Sequence, residues 1–160
     1  MDAYGKIINS LSITFSQADK YILRQPICIN DYHNKDNTLI LLHSGNMSFG
    51  YEDEAIKAGE LFFIPASTKV SMTYGEAANS QNISQEDFNL KQEKYLVKWT
   101  PKSRTRTKTY FSKISFSAKA FEIINFVEAL EIPSFIIKNH YWLKKVIKSI
   151  AALPIDTTIN

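Results

Sequence analysis

Three histidines, one cysteine and a scatter of carboxylates are the groups in this 160-residue chain that could hold a metal or act as nucleophile and base. Transition-metal sites need three or four ligands of suitable type converging on one point. His43 ends an apolar run without a second histidine beside it, while His33 in a polar stretch and His140 near a helix start are poorly placed to join it. Cys28 and the serines stand in no local nucleophile signature, and no Gly-rich phosphate loop is present. The residues therefore point to recognition: no catalytic residue, metal ligand or cofactor is expected. Two cationic features remain. Arg24 interrupts an otherwise apolar segment, as a snorkelling surface residue or as a cation aimed at a ligand oxygen. Lys102, Arg104, Arg106 and Lys108 alternate with Ser103, Thr105, Thr107 and Thr109, which on a strand would put every cation on one face. Such a ribbon either contacts phosphates or is a solvated arm whose charge blocks edge-to-edge pairing.

The elements that must position these groups are bounded by composition. A domain near this length buries roughly 68 to 70% of its unfolded surface, so one core suffices without disulfides. The net charge of +3 is mild for a whole-domain nucleic-acid binder. No apolar run approaches the roughly 18 residues that span a bilayer, and the first ten residues lack a signal-peptide pattern. With a single cysteine, expected as a small buried thiol, these features fit a reducing cytoplasm.

Along the chain, short apolar runs broken by Gly and Pro predict strands. Two are expected before residue 38, over Leu11 to Phe15 and Tyr21 to Ile29, the second crossed by Pro26 at an edge or bulge. A turn-rich loop follows over residues 30–37. Four strands fit between Leu39 and Gly75, and alternation puts Val70, Met72 and Tyr74 on one side, toward the interior. Residues 76–93 read as an exposed polar loop with a short helix from Ser84, and Asp87 to Lys94 carries too little apolar surface to dock firmly. Residues 95–116 read as a long hairpin arm, with Tyr95, Val97 and Trp99 sharing a face. A helix is predicted from a Ser117 N-cap through Phe121, Ile124, Val127 and Leu130 until Pro133, and a second over residues 139–153 with Leu143, Val146, Ile147 and Ile150 on one face. The fold class expected is mostly β: an antiparallel barrel or sandwich over residues 1–116, then two helices over residues 117–160 of the same domain.

Gly45, then Gly59 followed after five residues by Pro65, resembles the two-motif core of cupins, small jelly-roll barrels. More closely, the strand ending in Gly45, the run from Ala58 to Pro65, Tyr74-Gly75, and the exit Phe116-Ser117-Ala118-Lys119-Ala120-Phe121 resemble the N-terminal sensor domain of AraC-family bacterial transcription regulators. The resemblance covers roughly residues 10 to 153. It implies a cupin-like jelly roll that binds a small-molecule effector inside the barrel, with no catalysis of its own. Arg24, His43, Val70, Met72, Tyr74 and Trp99 are the candidate effector contacts, and a sugar, an aromatic or a fatty acid would suit such a barrel. It also implies a homodimer through the segment 139–153, by Leu143, Val146, Ile147 and Ile150. DNA would be reached only through a helix-turn-helix region, absent from this chain, which is then expected to be an excised sensor. Metal-binding cupins carry a His-x-His and a glutamate in the first motif and a histidine in the second. Here His43 has no second histidine beside it and Val70 stands at the second position, so the alternative is a stand-alone cupin enzyme, with His43 and Glu52 or Glu54 as the residues to suspect, or a small-molecule-binding cupin.

Overall fold

The computed structural model describes residues 11–120, 124–125 and 134–137, and within them the chain pairs as one long hairpin folded repeatedly back on itself. The strands are β1 (Leu11–Leu23), β2 (Ile27–Tyr32), β3 (Asn37–Ser44), β4 (Met47–Phe49), β5 (Glu54–Ile56), β6 (Leu61–Ile64), β7 (Val70–Tyr74), β8 (Gln81–Ile83), β9 (Leu96–Lys98), β10 (Tyr110–Ala120), β11 (Ile124–Asn125) and β12 (Phe135–Ile137). Two short helices, α1 (Gln85–Leu90) and α2 (Gln92–Tyr95), lie between β8 and β9. Antiparallel pairing is nested: β4 with β5, β3 with β6, β2 with β7 and β1 with β10. The nested pairs fall alternately into two sheets, ordered β12-β6-β3-β10-β1-β9 with β11 on β10, and β5-β4-β7-β2-β8.

The inner faces of the two sheets meet in one core that includes Ile27, Ile29, Ile40, Leu42, Phe62, Ile64, Met72, Tyr74 and Phe111. Alternation explains the choice, because β3 sends Ile40 and Leu42 inward and Leu41 to a smaller cluster with Ala18, Leu61 and Ile114. Gly45 turns β3 into β4 at φ +87°, and a Cβ there would lie 2.4 Å from the Thr109 Cα, so both backbone freedom and close approach require glycine. Gly59 also has positive φ, +89°, but open space around it, so conformation alone selects it. Pro65 follows the last residue of β6, as its missing N–H predicts.

Several expectations change. The first two predicted strands are redivided: β1 runs unbroken over 13 residues from Leu11 into the start of the second, with a bulge between Phe15 and Gln17, and the rest of the second belongs to β2, with Pro26 at the corner where the chain crosses to the other sheet. The turn-rich stretch starts later than its composition suggests, since β2 runs to Tyr32, which is fully buried. A fifth strand, β5, occupies the charged turn after β4. Residues 95–116 are not a hairpin: β9 pairs with β1, and β1 separates it from β10. The basic residues 102–108 form turns and loop, so the alternation that suggests a strand has no ladder to join. At Ser117 no helix starts, because β10 continues to Ala120 against Leu11–Phe15 and turns into β11. Pairing with β1 throughout, and with β11 at Lys119 and Ala120, outweighs the helix-forming alanines. The predicted helix over residues 139–153, with Leu143, Val146, Ile147 and Ile150, lies outside the described residues.

Candidate functional site

The interior of the sandwich is filled by rings. Tyr74 is central, with Phe111 at 5.3 Å, Phe88 stacked at 6.1 Å and Tyr32 edge-on at 6.2 Å, and Phe111 continues to Tyr21 at 5.8 Å. Ring pairs at these separations add to the packing. The column carries an unusual polar end. Tyr32 is buried, its hydroxyl accepts from Asn34 Nδ2 at 3.2 Å, and Lys113 Nζ stands 5.6 Å from its ring. Burial pushes the Tyr32 phenol up, but the Lys113 ammonium and hydrogen bonds from Tyr74 and Asn34 bring it below the ordinary tyrosine value. Tyr74 moves the other way, raised by burial and by the negative charge Tyr32 would carry.

At the other end the column opens into a cleft of about 350 Å³, lined by Tyr21, Arg24, Gln92, Glu93, Leu96, Val97 and Lys98. Local sequence builds each wall. The β1–β2 corner raises Arg24, whose backbone N–H donates to the Tyr95 carbonyl at 2.8 Å. The α2–β9 junction supplies the opposite wall, and the inward faces of β1 and β9 give Tyr21 and Leu96 as an apolar floor. Lys98 is engaged with Asp19 at 3.7 Å. Arg24 is exposed, and its guanidinium has no ion pair or hydrogen bond among the described residues. Tyr21 is pushed up to about 12, by burial first and then by Asp19, whose Oδ2 its hydroxyl reaches at 3.3 Å. It stays a neutral donor at ordinary pH. With the Tyr21 hydroxyl donating to Asp19, the cleft offers the Arg24 cation, the Gln92 amide and an apolar floor, with Glu93 the one carboxylate in the lining, and these can hold a molecule with an anionic end near Arg24 and an apolar body.

The six predicted contacts fall in three places. Met72 and Tyr74 are buried on the inner face with half-buried Val70 packed against them, as alternation predicts, and there they are core. Arg24 reaches the cleft. His43 and Trp99 lie on the outer face of the larger sheet, bridged by Tyr110, which stacks on His43 at 4.5 Å and on Trp99 at 5.9 Å. His43 Nε2 also hydrogen-bonds Ser112 Oγ at 2.6 Å, and Lys20 Nζ sits 4.7 Å over the Trp99 ring. Trp99 therefore cannot give an effector inside the sandwich its flat surface, and Tyr95, buried against Phe88, is the aromatic that turns inward instead.

Sequence reasoning misses Tyr21, Gln92, Glu93, Leu96, Val97 and Lys98 as cleft residues. Tyr21 and Leu96 had only a weak signal, as members of the short apolar runs Tyr21-Ile22-Leu23 and Tyr95-Leu96-Val97, and their meeting depends on β9 pairing with β1. Cys28 is half-buried, near Asn30 and Ser71. Among the described residues, no three His, Cys, Asp or Glu side chains come together as a metal site. Among them too, no helix is long and apolar enough to cross a membrane. No family model, curated protein or solved structure matches this chain.

Proposed function

We propose that this chain is the effector-binding domain of an AraC-type transcription regulator, a jelly roll that recognises a small molecule and performs no chemistry on it. The nested pairing of β1 with β10, β2 with β7, β3 with β6 and β4 with β5 is the pattern of a rolled-up hairpin, which supports the jelly-roll reading. The observation that carries the function is the cleft: a hollow of about 350 Å³ lined by Tyr21 and Leu96 together with Arg24, whose guanidinium is unengaged among the described residues. The interior proper is packed with rings, so the effector sits at the end of the aromatic column and not within it. Its chemistry is a carboxylate or another anion on an apolar body. Dimerisation is assigned to residues 139–153, through Leu143, Val146, Ile147 and Ile150, as the resemblance implies, and DNA is reached through a separate helix-turn-helix region.

The test is thermal melting against a panel of aliphatic and aromatic carboxylates. At a concentration of about 100 Kd a ligand stabilises by about 2.7 kcal/mol, a readily measured shift. Arg24→Ala should abolish that shift without lowering the melting temperature of the free protein, because Arg24 is exposed. If no carboxylate raises the melting temperature, or if Arg24→Ala leaves the shift intact, the anion-binding cleft is wrong. For the regulator assignment, the reading frame should continue past Asn160 into a helix-turn-helix region, and a stop codon there overturns it.

A further inference from the structure

From Lys94 to Phe121 the chain carries eight of its 19 cations and none of its 16 acids. The remainder is net acidic, so the mild overall charge conceals a strong asymmetry. Three of these cations are turned to internal contacts: Lys94 over Tyr95, Lys98 to Asp19 and Lys113 over Tyr32. Lys102, Arg104, Arg106 and Lys108 are exposed, and none makes an ion pair among the described residues.

The loop that carries them has a fixed base. Trp99 and Tyr110 stack where it leaves and rejoins the sheet. Ser44 Oγ donates to the carbonyls of Thr105 at 3.3 Å and Lys108 at 2.9 Å, and Lys108 N–H donates to the Thr105 carbonyl at 3.0 Å. Thr109 Oγ1 donates to the Asn46 carbonyl at 3.3 Å. Backbone anchoring leaves the cationic side chains outside, so presenting them needs little further ordering.

We propose that the loop from Thr100 to Thr109 is a docking surface for the phosphate backbone of duplex DNA, bound without sequence preference. Arg, Lys, Ser and Thr are the residue types that contact phosphate oxygens, and here they alternate without an interposed carboxylate. A single strand would call for aromatic faces on which bases stack. The nearest ones are engaged, since Trp99 has Tyr110 beside it and Lys20 over it. What remains is charge, and charge reads the backbone. None of the loop residues from Thr100 to Thr109 lines the effector cleft, so loss of either activity leaves the other measurable.

The experiment is fluorescence anisotropy of a labelled mixed-sequence duplex titrated with the purified protein at increasing salt. Neutralising four phosphates gives a slope of log K against log salt of about −3.6, or roughly 150-fold weaker binding between about 50 and 200 mM salt. Arg104→Gln with Arg106→Gln should bring the slope closer to zero by about 2. Lys35→Gln with Lys57→Gln, an exposed pair elsewhere with the same charge change, should leave the slope unchanged. Melting of each variant checks that it is folded. The proposal is overturned if the duplex does not bind, if single-stranded DNA or polyglutamate binds as tightly at the same salt, if the arginine variant keeps the slope, or if the control lysines move it equally.

Discussion

Two polar connections flank β9, and the structure treats them oppositely. The segment from Glu76 to Tyr95 is dominated by Asn, Gln, Ser and acids, yet it docks. Phe88 is buried against Tyr32, Tyr74 and Tyr95, and Tyr95 donates to Asp87 Oδ2 at 2.6 Å. The segment from Thr100 to Thr109 has the regular alternation of a strand, yet it joins no sheet and is held by backbone hydrogen bonds at its base. Average polarity predicts neither outcome. One large apolar side chain aimed at the core can seat a polar segment, while alternation without apolar residues leaves a loop nothing to bury.

The comparison can be broken most directly at Phe88. Phe88→Ala should cost about 3–5 kcal/mol, read from denaturant unfolding, because it removes a ring from the centre of the aromatic column. A loss no larger than that of a surface substitution would mean the segment is held by something other than its anchor. On the other connection the corresponding weak point is backbone fit. Gly45→Ala should cost about 1–3 kcal/mol, since the added Cβ meets the Thr109 Cα and positive φ strains any side chain.

A smaller effect is pH-dependent. The hydrogen bond from Tyr95 holds the Asp87 carboxyl below its ordinary value of 3.8, with Lys91 adding to it. A lowered carboxylate stabilises the fold above the ordinary value, and that contribution is lost as the pH falls through the lowered one. Asp87→Asn should therefore reduce the melting temperature near neutral pH and flatten its decline in acid. An unchanged acid limb in this variant would show that the Tyr95–Asp87 bond does not help to seat the segment. The smallest effect belongs to the basic loop: Arg104→Gln with Arg106→Gln should shift stability by no more than about 0.5 kcal/mol, even where it removes DNA affinity. A larger loss would mean the arginines hold the loop in place.

Legibility followed the same division. Four of the five strands between Leu39 and Tyr74, the inward set Val70, Met72 and Tyr74, the turns at Gly45 and Gly59 and the stop at Pro65 were readable, because period-two alternation and Gly and Pro chemistry are local properties, while β5 in the charged turn was not. The Ser84 cap was readable for the same reason: its Oγ accepts from the Asp87 N–H at 3.0 Å. Of the candidate site only Arg24 was legible, as a cation out of place. Tyr21, Leu96 and Gln92 come to it from segments whose meeting depends on the pairing of β9 with β1.

By itself, then, the sequence determined a mostly β chain, most of its strand positions and which side chains could face a core, since each depends on a few neighbouring residues. Only the tertiary structure decided that β10 runs on past Ser117, that Tyr32 and Phe88 are core, that His43 and Trp99 face away from the interior, and that a cleft forms at Arg24. Those outcomes depend on which strands pair across long stretches of chain, and a pairing partner changes a residue's face and burial without changing any residue near it.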